Sequence, residues 1–173
     1  MYGAEPCVQL HSDLSAKISA CGLADKYRIL SCGAEPHSLI PALQKAGFSA
    51  SEMQAGVFDT ICCVRVLCSV PNPEQTIRGL YDLLKPGGKL LVCEHVVNPW
   101  MTGKGNVFGR LAQAVYMTLG FPFFMGGCRM TRNTGAMLKK VANQDGGWAS
   151  VDLEKSFGWG PLPYISGTLV KRG

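Results

Sequence analysis

Phe58-Asp59-Thr60-Ile61-Cys62-Cys63-Val64-Arg65-Val66-Leu67 is the stretch on which the fold turns. It is a nearly continuous run of apolar and β-branched residues, as expected for a parallel strand whose two faces are both covered by helices. This reading puts the strand at the centre of a sheet. Downstream, Pro73 opens an amphipathic helix through Ile77, Leu80, Tyr81 and Leu84. That helix must stop before Pro86-Gly87-Gly88, because proline cannot continue the hydrogen-bond ladder and glycine turns the chain. Lys89-Leu90-Leu91-Val92-Cys93-Glu94-His95-Val96 then reads as the next strand.

The same alternation extends in both directions and argues for an α/β domain. Towards the N-terminus, Met1 to Glu5 reads as the end of an extended segment stopped by Pro6. Leu10, Leu14, Ile18 and Cys21 recur at helical spacing until Gly22. Tyr27 to Cys32 is a short strand opening into Gly33-Ala34-Glu35-Pro36, and a helix from His37 to Ala46 precedes a loop holding Gly47 and Gly56. Towards the C-terminus, Val107 to Met125 is largely apolar with Gly120 and Pro122 inside it. Trp148 to Phe157 and Tyr164 to Lys171 alternate as two final strands that can pair antiparallel.

Bulk composition narrows the classes. With 173 residues, 47% hydrophobic and 17% charged, the chain suits a single domain over residues 1–173 rather than a disordered protein. Its net charge of +5 comes from scattered Lys and Arg, with Lys139-Lys140 and Lys171-Arg172 as the adjacent pairs, so no nucleic-acid stripe is expected. The eight cysteines lie mostly in apolar runs, which suits reduced thiols. No C-x-x-C pair occurs, and His11, His37 and His95 lack ligand spacing, so no metal is expected. The first residues carry no signal-peptide pattern, which leads to an intracellular expectation, cytoplasmic or peripherally membrane-associated.

The set Phe58-Asp59, an apolar strand, Val70-Pro71-Asn72-Pro73-Glu74, Leu84-Lys85-Pro86-Gly87-Gly88 and a second apolar strand resembles the class I S-adenosylmethionine-dependent methyltransferases. Val66-Leu67-Cys68-Ser69-Val70, Cys93-Glu94-His95-Val96, Gly126-Gly127-Cys128 and Arg132-Asn133-Thr134 look like the methyltransferase-like or UbiE-type group of small-molecule enzymes. The resemblance implies a Rossmann-like sheet with helices on both faces and S-adenosyl-L-methionine as cofactor. The family's first strand and its Glu/Asp-x-Gly-x-Gly loop have no counterpart. Gly103-Lys104-Gly105 and Gly158-Trp159-Gly160 neither follow a strand nor open a helix as that loop does. In the family that strand lies between the second and the fourth, so the sequence reads as an N-terminally shortened form.

Laid on the family, Glu5 ends the second strand, where a carboxylate grips the two ribose hydroxyls; read alone, it is a solvated turn residue. Gly33, Ala34 and Glu35 match the segment that lines the adenine, or else form a strand-ending glycine turn. Val64 and Arg65 fall beside the methionine part of the cofactor, chiefly through their backbone; Arg65 is otherwise a surface ion-pair partner. His95 is the candidate catalytic residue, a general base for a thiol, phenol or enol, against the alternative that it only bonds a neighbouring loop. Glu94 shares its strand end, and Cys128 and Arg132 are weaker candidates.

The expected activity is methyl transfer to a small, lipophilic acceptor, a thiol or quinone-like ring, which asks the protein mainly for alignment and exclusion of water. The alternative is a catalytically inactive methyltransferase-like fragment that binds a partner through an exposed sheet edge or its aromatic segment. A nicotinamide oxidoreductase is disfavoured by the lack of G-x-G-x-x-G. Residues 107–125 serve as core, as an acceptor pocket or as a peripheral membrane contact. No obligate protein partner is indicated.

Overall fold

In the computed structural model, which describes residues 1–173, strand β1 (Tyr2–Ala4) leads through a 3-10 turn into helix α1 (His11–Ala20). Strand β2 (Arg28–Leu30) then returns parallel to β1, with Gly3 opposite Ile29. Helix α2 (Pro36–Lys45) begins with Pro36, whose missing N–H is no loss in a first turn. It buries Leu39 and Leu43. The expected loop after Gly47 contains a further helix, α3 (Ala50–Ala55), started by a reciprocal capping box between Ser49 and Glu52.

Strands β3 (Phe58–Val64) and β4 (Leu84–His95) run parallel and are joined by α4 (Pro73–Leu83). The helix ends where expected, but β4 begins at once with Leu84. Pairing jumps from Phe58 with Leu84 to Thr60 with Lys89, so the Pro86-Gly87-Gly88 segment is absorbed as an irregularity inside the strand. Then come α5 (Val107–Thr118), the four-residue α6 (Phe121–Phe124) and α7 (Thr134–Val141), the last without a counterpart in the sequence reading. Strands β5 (Ser150–Ser156) and β6 (Tyr164–Val170) pair antiparallel, as expected, and β6 also lies antiparallel against β4.

The strands form two sheets, β1-β2 and β3-β4-β6-β5. This corrects the placement of β3, which is an edge strand rather than a central one. Its composition encodes burial on both sides, yet Val64 is 63% exposed because the sheet face it shares with Thr60 and Cys62 is left uncovered. The break falls between β1 and β3, where the resemblance puts the strand this sequence lacks. Edge-on packing of Tyr2, Phe48 and Phe58 rings, with centroids 5.3 to 6.3 Å apart, ties the two sheets together.

The main core lies on one face of the larger sheet. Leu90, Val92 and Leu169 meet Ile77, Leu80 and Tyr81 of α4 and Leu138 of α7. Tyr81 and Trp148 pack edge to face at 4.9 Å, and the Trp148 indole N–H donates to the Leu138 carbonyl at 2.7 Å. The residues that alternate with these, including Leu91, Cys62 and Val151, are exposed, and α1 buries no residue. Cover is therefore dense on one face and sparse on the other.

Candidate functional site

Parallel strands collect functional residues at their carboxyl ends. At the end of β1, half-buried Glu5 folds back so that Oε1 accepts the Cys7 amide at 2.8 Å. Its backbone N–H donates to Leu30, and its carbonyl lies 2.9 Å from Nε2 of His11. His11 was not among the sequence candidates; its second ring nitrogen lies 3.5 Å from the Ser31 hydroxyl, so it joins the ends of β1 and β2.

At the end of β2, the Glu35 carboxylate folds over Gly33 so closely that a Cβ on Gly33 would overlap it. The Ser38 hydroxyl donates to the carbonyls of Gly33 and Glu35, fixing the turn around half-buried Ala34. Gly33 follows the end of β2 in a turn, and the group that approaches it is the chain's own Glu35 carboxylate. At the end of β3, Val64 and Arg65 are exposed. Arg65 takes a left-handed φ of 58°, donates its amide to the Cys93 carbonyl at 2.8 Å, and forms no ion pair. Left-handed backbone at a residue with a Cβ is uncommon and clusters at functional turns.

The turn after β3 is built around Glu94. This fully buried carboxylate accepts the amides of Val66, Leu67 and Cys68 at 2.9, 3.0 and 3.1 Å. Burial pushes its carboxyl up to about 7, against the pull of the three amides. Arg132 holds the same turn from its carbonyl side, with Nη1 donating to Leu67 at 2.8 Å and Val70 at 2.6 Å. Glu94 and Arg132 thus act on the backbone of residues 66–70 rather than facing an acceptor.

His95 is 2% exposed, with its ring 4.2 Å from that of Tyr164. Nδ1 lies 3.4 Å from Sγ of Cys128 and 4.0 Å from Sγ of Cys68, and the two sulfurs are 3.5 Å apart and share a hydrogen bond. That bond holds the Cys128 thiol below its ordinary range, against burial, with Arg65 and Arg132 assisting. The same bond, together with burial, pushes Cys68 up to about 12. Sequence spacing gave no sign of this grouping, because its members come from a turn, a strand end and a loop far apart in the chain.

Residues 96–160 close this end of the molecule through two buried amides. Gln113 of α5 accepts the Asn98 amide at 2.8 Å and donates to the carbonyls of Val96 and Met130. Asn98 in turn donates to the carbonyls of Gly158 and Gly160. The two G-x-G triplets meet here: a Cβ on Gly158 would overlap the Lys104 carbonyl, and one on Gly105 would overlap Asn98. A depression of about 690 Å³ on the helical face, between α2, α3, α4 and the C-terminus, includes none of these residues.

The model of the methyltransferase domain family matches residues 8–140. The chain belongs to that family. As a methyltransferase-domain chain it is 30% identical, over 129 residues, to the thiol S-methyltransferase TMT1B of Rattus norvegicus, which covers 72% of this chain and 48% of that protein. The chain spans about half the length of the curated relatives it matches. An O-methyltransferase family protein from Burkholderia thailandensis superposes with a TM-score of 0.55 at 14% identity, over 99% of this chain and 42% of the other. PigF with SAH gives 0.54 at 15% identity, over 99% and 43%. These structures share the Rossmann-like α/β fold of this methyltransferase-domain chain.

For the expected cofactor, the methyltransferase-domain chain presents polar groups past two strand ends: the Glu5 carboxylate, one oxygen of which accepts the Cys7 amide, and the Gly33–Glu35 turn, in which the Glu35 carboxylate lies over Gly33. At the amino-acid end it offers the left-handed Arg65 turn but no counterpart of the glycine loop.

Proposed function

We propose that the chain is a methyltransferase that uses S-adenosyl-L-methionine to methylate a small lipophilic acceptor, most plainly a thiol. The observation that carries this reading is that Glu5, Gly33–Glu35 and Val64–Arg65 each lie at or just past the carboxyl end of one of three successive parallel-paired strands, while buried Cys68, His95 and Cys128 gather past the ends of β3 and β4. The thiol S-methyltransferase relative supports the acceptor class. When bound, the cofactor supplies an electrophilic methyl group. Glu5 would hold the ribose hydroxyls, Gly33, Ala34 and Glu35 the adenine, and the backbone of Val64 and Arg65 the methionine part. His95 is assigned to the acceptor side, where it assists ionisation of the thiol.

Calorimetric titration of the 173-residue chain with S-adenosylhomocysteine tests this reading. Micromolar binding that is lost in Glu5→Ala is expected. A folded chain that gives no heat would overturn it in favour of a catalytically inactive partner-binding role, for which the unpaired outer edges of β1 and β3 are the supporting feature.

We further propose peripheral contact with a lipid surface through residues 107–125. No helix is long and apolar enough to cross a membrane. Helix α5 nevertheless turns Phe108, Leu111, Val115 and Leu119 outward at helical spacing, continued by Phe123 and Phe124, which are 86% and 76% exposed. From Val96 to Gln144 the chain contains no Asp or Glu, while the exposed Lys104 and Arg129 lie on either side of the apolar stripe in the chain. An apolar face with a basic border suits an anionic bilayer interface.

A further inference from the structure

Cys68, His95 and Cys128 turn three metal-binding atoms towards one another in the interior, each residue no more than 3% exposed. Their spacing is that of a coordination polyhedron. Zinc–sulfur bonds of about 2.3 Å and a zinc–nitrogen bond of about 2.0 Å at tetrahedral angles place two thiolates about 3.8 Å apart and thiolate from imidazole about 3.5 Å. The observed separations are 3.5 Å between sulfurs and 3.4 and 4.0 Å from Nδ1 to the two sulfurs. A disulfide would need the sulfurs at about 2.05 Å. Nδ1 of His95 has no hydrogen-bond partner besides the two sulfurs.

The surroundings hold all three ligands in place. Glu94 binds the Cys68 amide, and the Arg129 amide donates to the Cys68 carbonyl at 2.8 Å. Arg132 clamps the carbonyls on either side of Cys68, and the Tyr164 ring backs His95. Such outer contacts fix ligand orientation in metal sites. Two thiolates and a neutral imidazole would balance a divalent cation, and sulfur with imidazole selects zinc over calcium or magnesium.

We propose that Cys68, His95 and Cys128 form a zinc(II) site with three protein ligands. A fourth, non-protein ligand completes the tetrahedron. On the thiol acceptor reading above, on which this last step rests, a water holds that position until the acceptor displaces it: the zinc–oxygen bond breaks as the acceptor sulfur bonds to zinc, and the thiol proton leaves with the released water. The assistance assigned to His95 then passes through the cation, because coordination at Nδ1 leaves the ring proton on Nε2.

The test uses the whole chain, stripped with chelator and reloaded. One zinc per chain by elemental analysis is expected. Cobalt(II) in its place should give the intense visible bands of a tetrahedral site and a thiolate charge-transfer band, and the visible bands should move when benzyl mercaptan is added. Cys68→Ser, Cys128→Ser and His95→Ala, each checked for fold by circular dichroism, should weaken metal binding by more than about 100-fold, beyond the usual effect of an outer-shell change. Wild-type protein that is folded but holds no zinc and gives a featureless cobalt spectrum would overturn the site. So would a mass lower by two hydrogens with Cys68 and Cys128 in one linked peptide. Cobalt bands indifferent to the thiol would overturn the acceptor step alone. Binding of S-adenosylhomocysteine without metal sinks only the zinc site, and metal binding without S-adenosylhomocysteine sinks only the cofactor reading.

Discussion

The carboxylate of Glu94 holds the backbone amide of Cys68, 26 residues earlier in the chain, at 3.1 Å. Strand β4 thereby sets the shape of the turn that leaves β3, and with it the position of a sulfur at the centre of the candidate site. A fully buried acid at this place links the site to pH.

Glu94 titrates at about 7 in the folded chain, against an ordinary value of 4.5. An acid whose folded value is raised favours the folded state most when protonated. That stabilisation is complete below 4.5 and is lost as pH rises through about 7, by an amount on the order of 3 kcal/mol. Urea unfolding of the wild type from pH 4.5 to 8 should show the decline, and Glu94→Gln should flatten it. A variant with the wild-type slope would show that the pH dependence lies elsewhere.

Arg132 donates to two carbonyls of the same turn, so its removal strands both. Arg132→Ala should cost about 2–3 kcal/mol, the scale of unsatisfied groups in a partly buried turn. Arg132→Lys should recover only part, because an ammonium lacks the planar fork. Thermal melts compare the three proteins, and an alanine variant as stable as wild type would remove Arg132 from this role.

Much of this fold is written in local pattern. The β4 run, the α4 periodicity and the β5–β6 alternation each mark an element, because burial repeats at the period of that element. Position was less legible. The residues of β3 describe a central strand, but pairing depends on a neighbour that this sequence does not contain. Helix α3 was hidden between two glycines with Met53 as its sole buried residue, although Ser49 and Glu52 carried a capping-box signal. The α7 segment showed no strong pattern, with Leu138 as its fully buried apolar residue. At the candidate site, the resemblance put Glu5 and Val64, and the strand pattern His95, at or just past strand ends, and the fold has them there. The convergence of Cys68 and Cys128 on His95 is tertiary, and no spacing rule for metal ligands reaches across 60 residues.

Gln113 makes three hydrogen bonds from the inner side of α5, while the helix's outer side is apolar. Gln113→Ala leaves the Asn98 amide and two buried carbonyls unpaired, at a cost of about 3 kcal/mol. Cleavage by a protease should begin within residues 96–125 in the variant while the β3–β6 sheet stays protected. Uniform resistance of both proteins would show that other contacts hold α5.

Withdrawing two exposed phenylalanines tests the lipid reading without touching the core. Phe108→Ser and Phe124→Ser remove side chains that are 83% and 76% exposed, so the fold should keep its stability. Each loses about 1.5–3 kcal/mol of insertion energy if its ring enters the bilayer, enough to weaken binding about tenfold or more. Co-sedimentation with phosphatidylserine-containing vesicles should show that loss. Replacing the exposed Lys104 and Arg129 with Gln should instead reduce the dependence of binding on salt. Wild-type protein that stays in the supernatant at low salt would end the membrane reading and leave the apolar stripe to a protein partner.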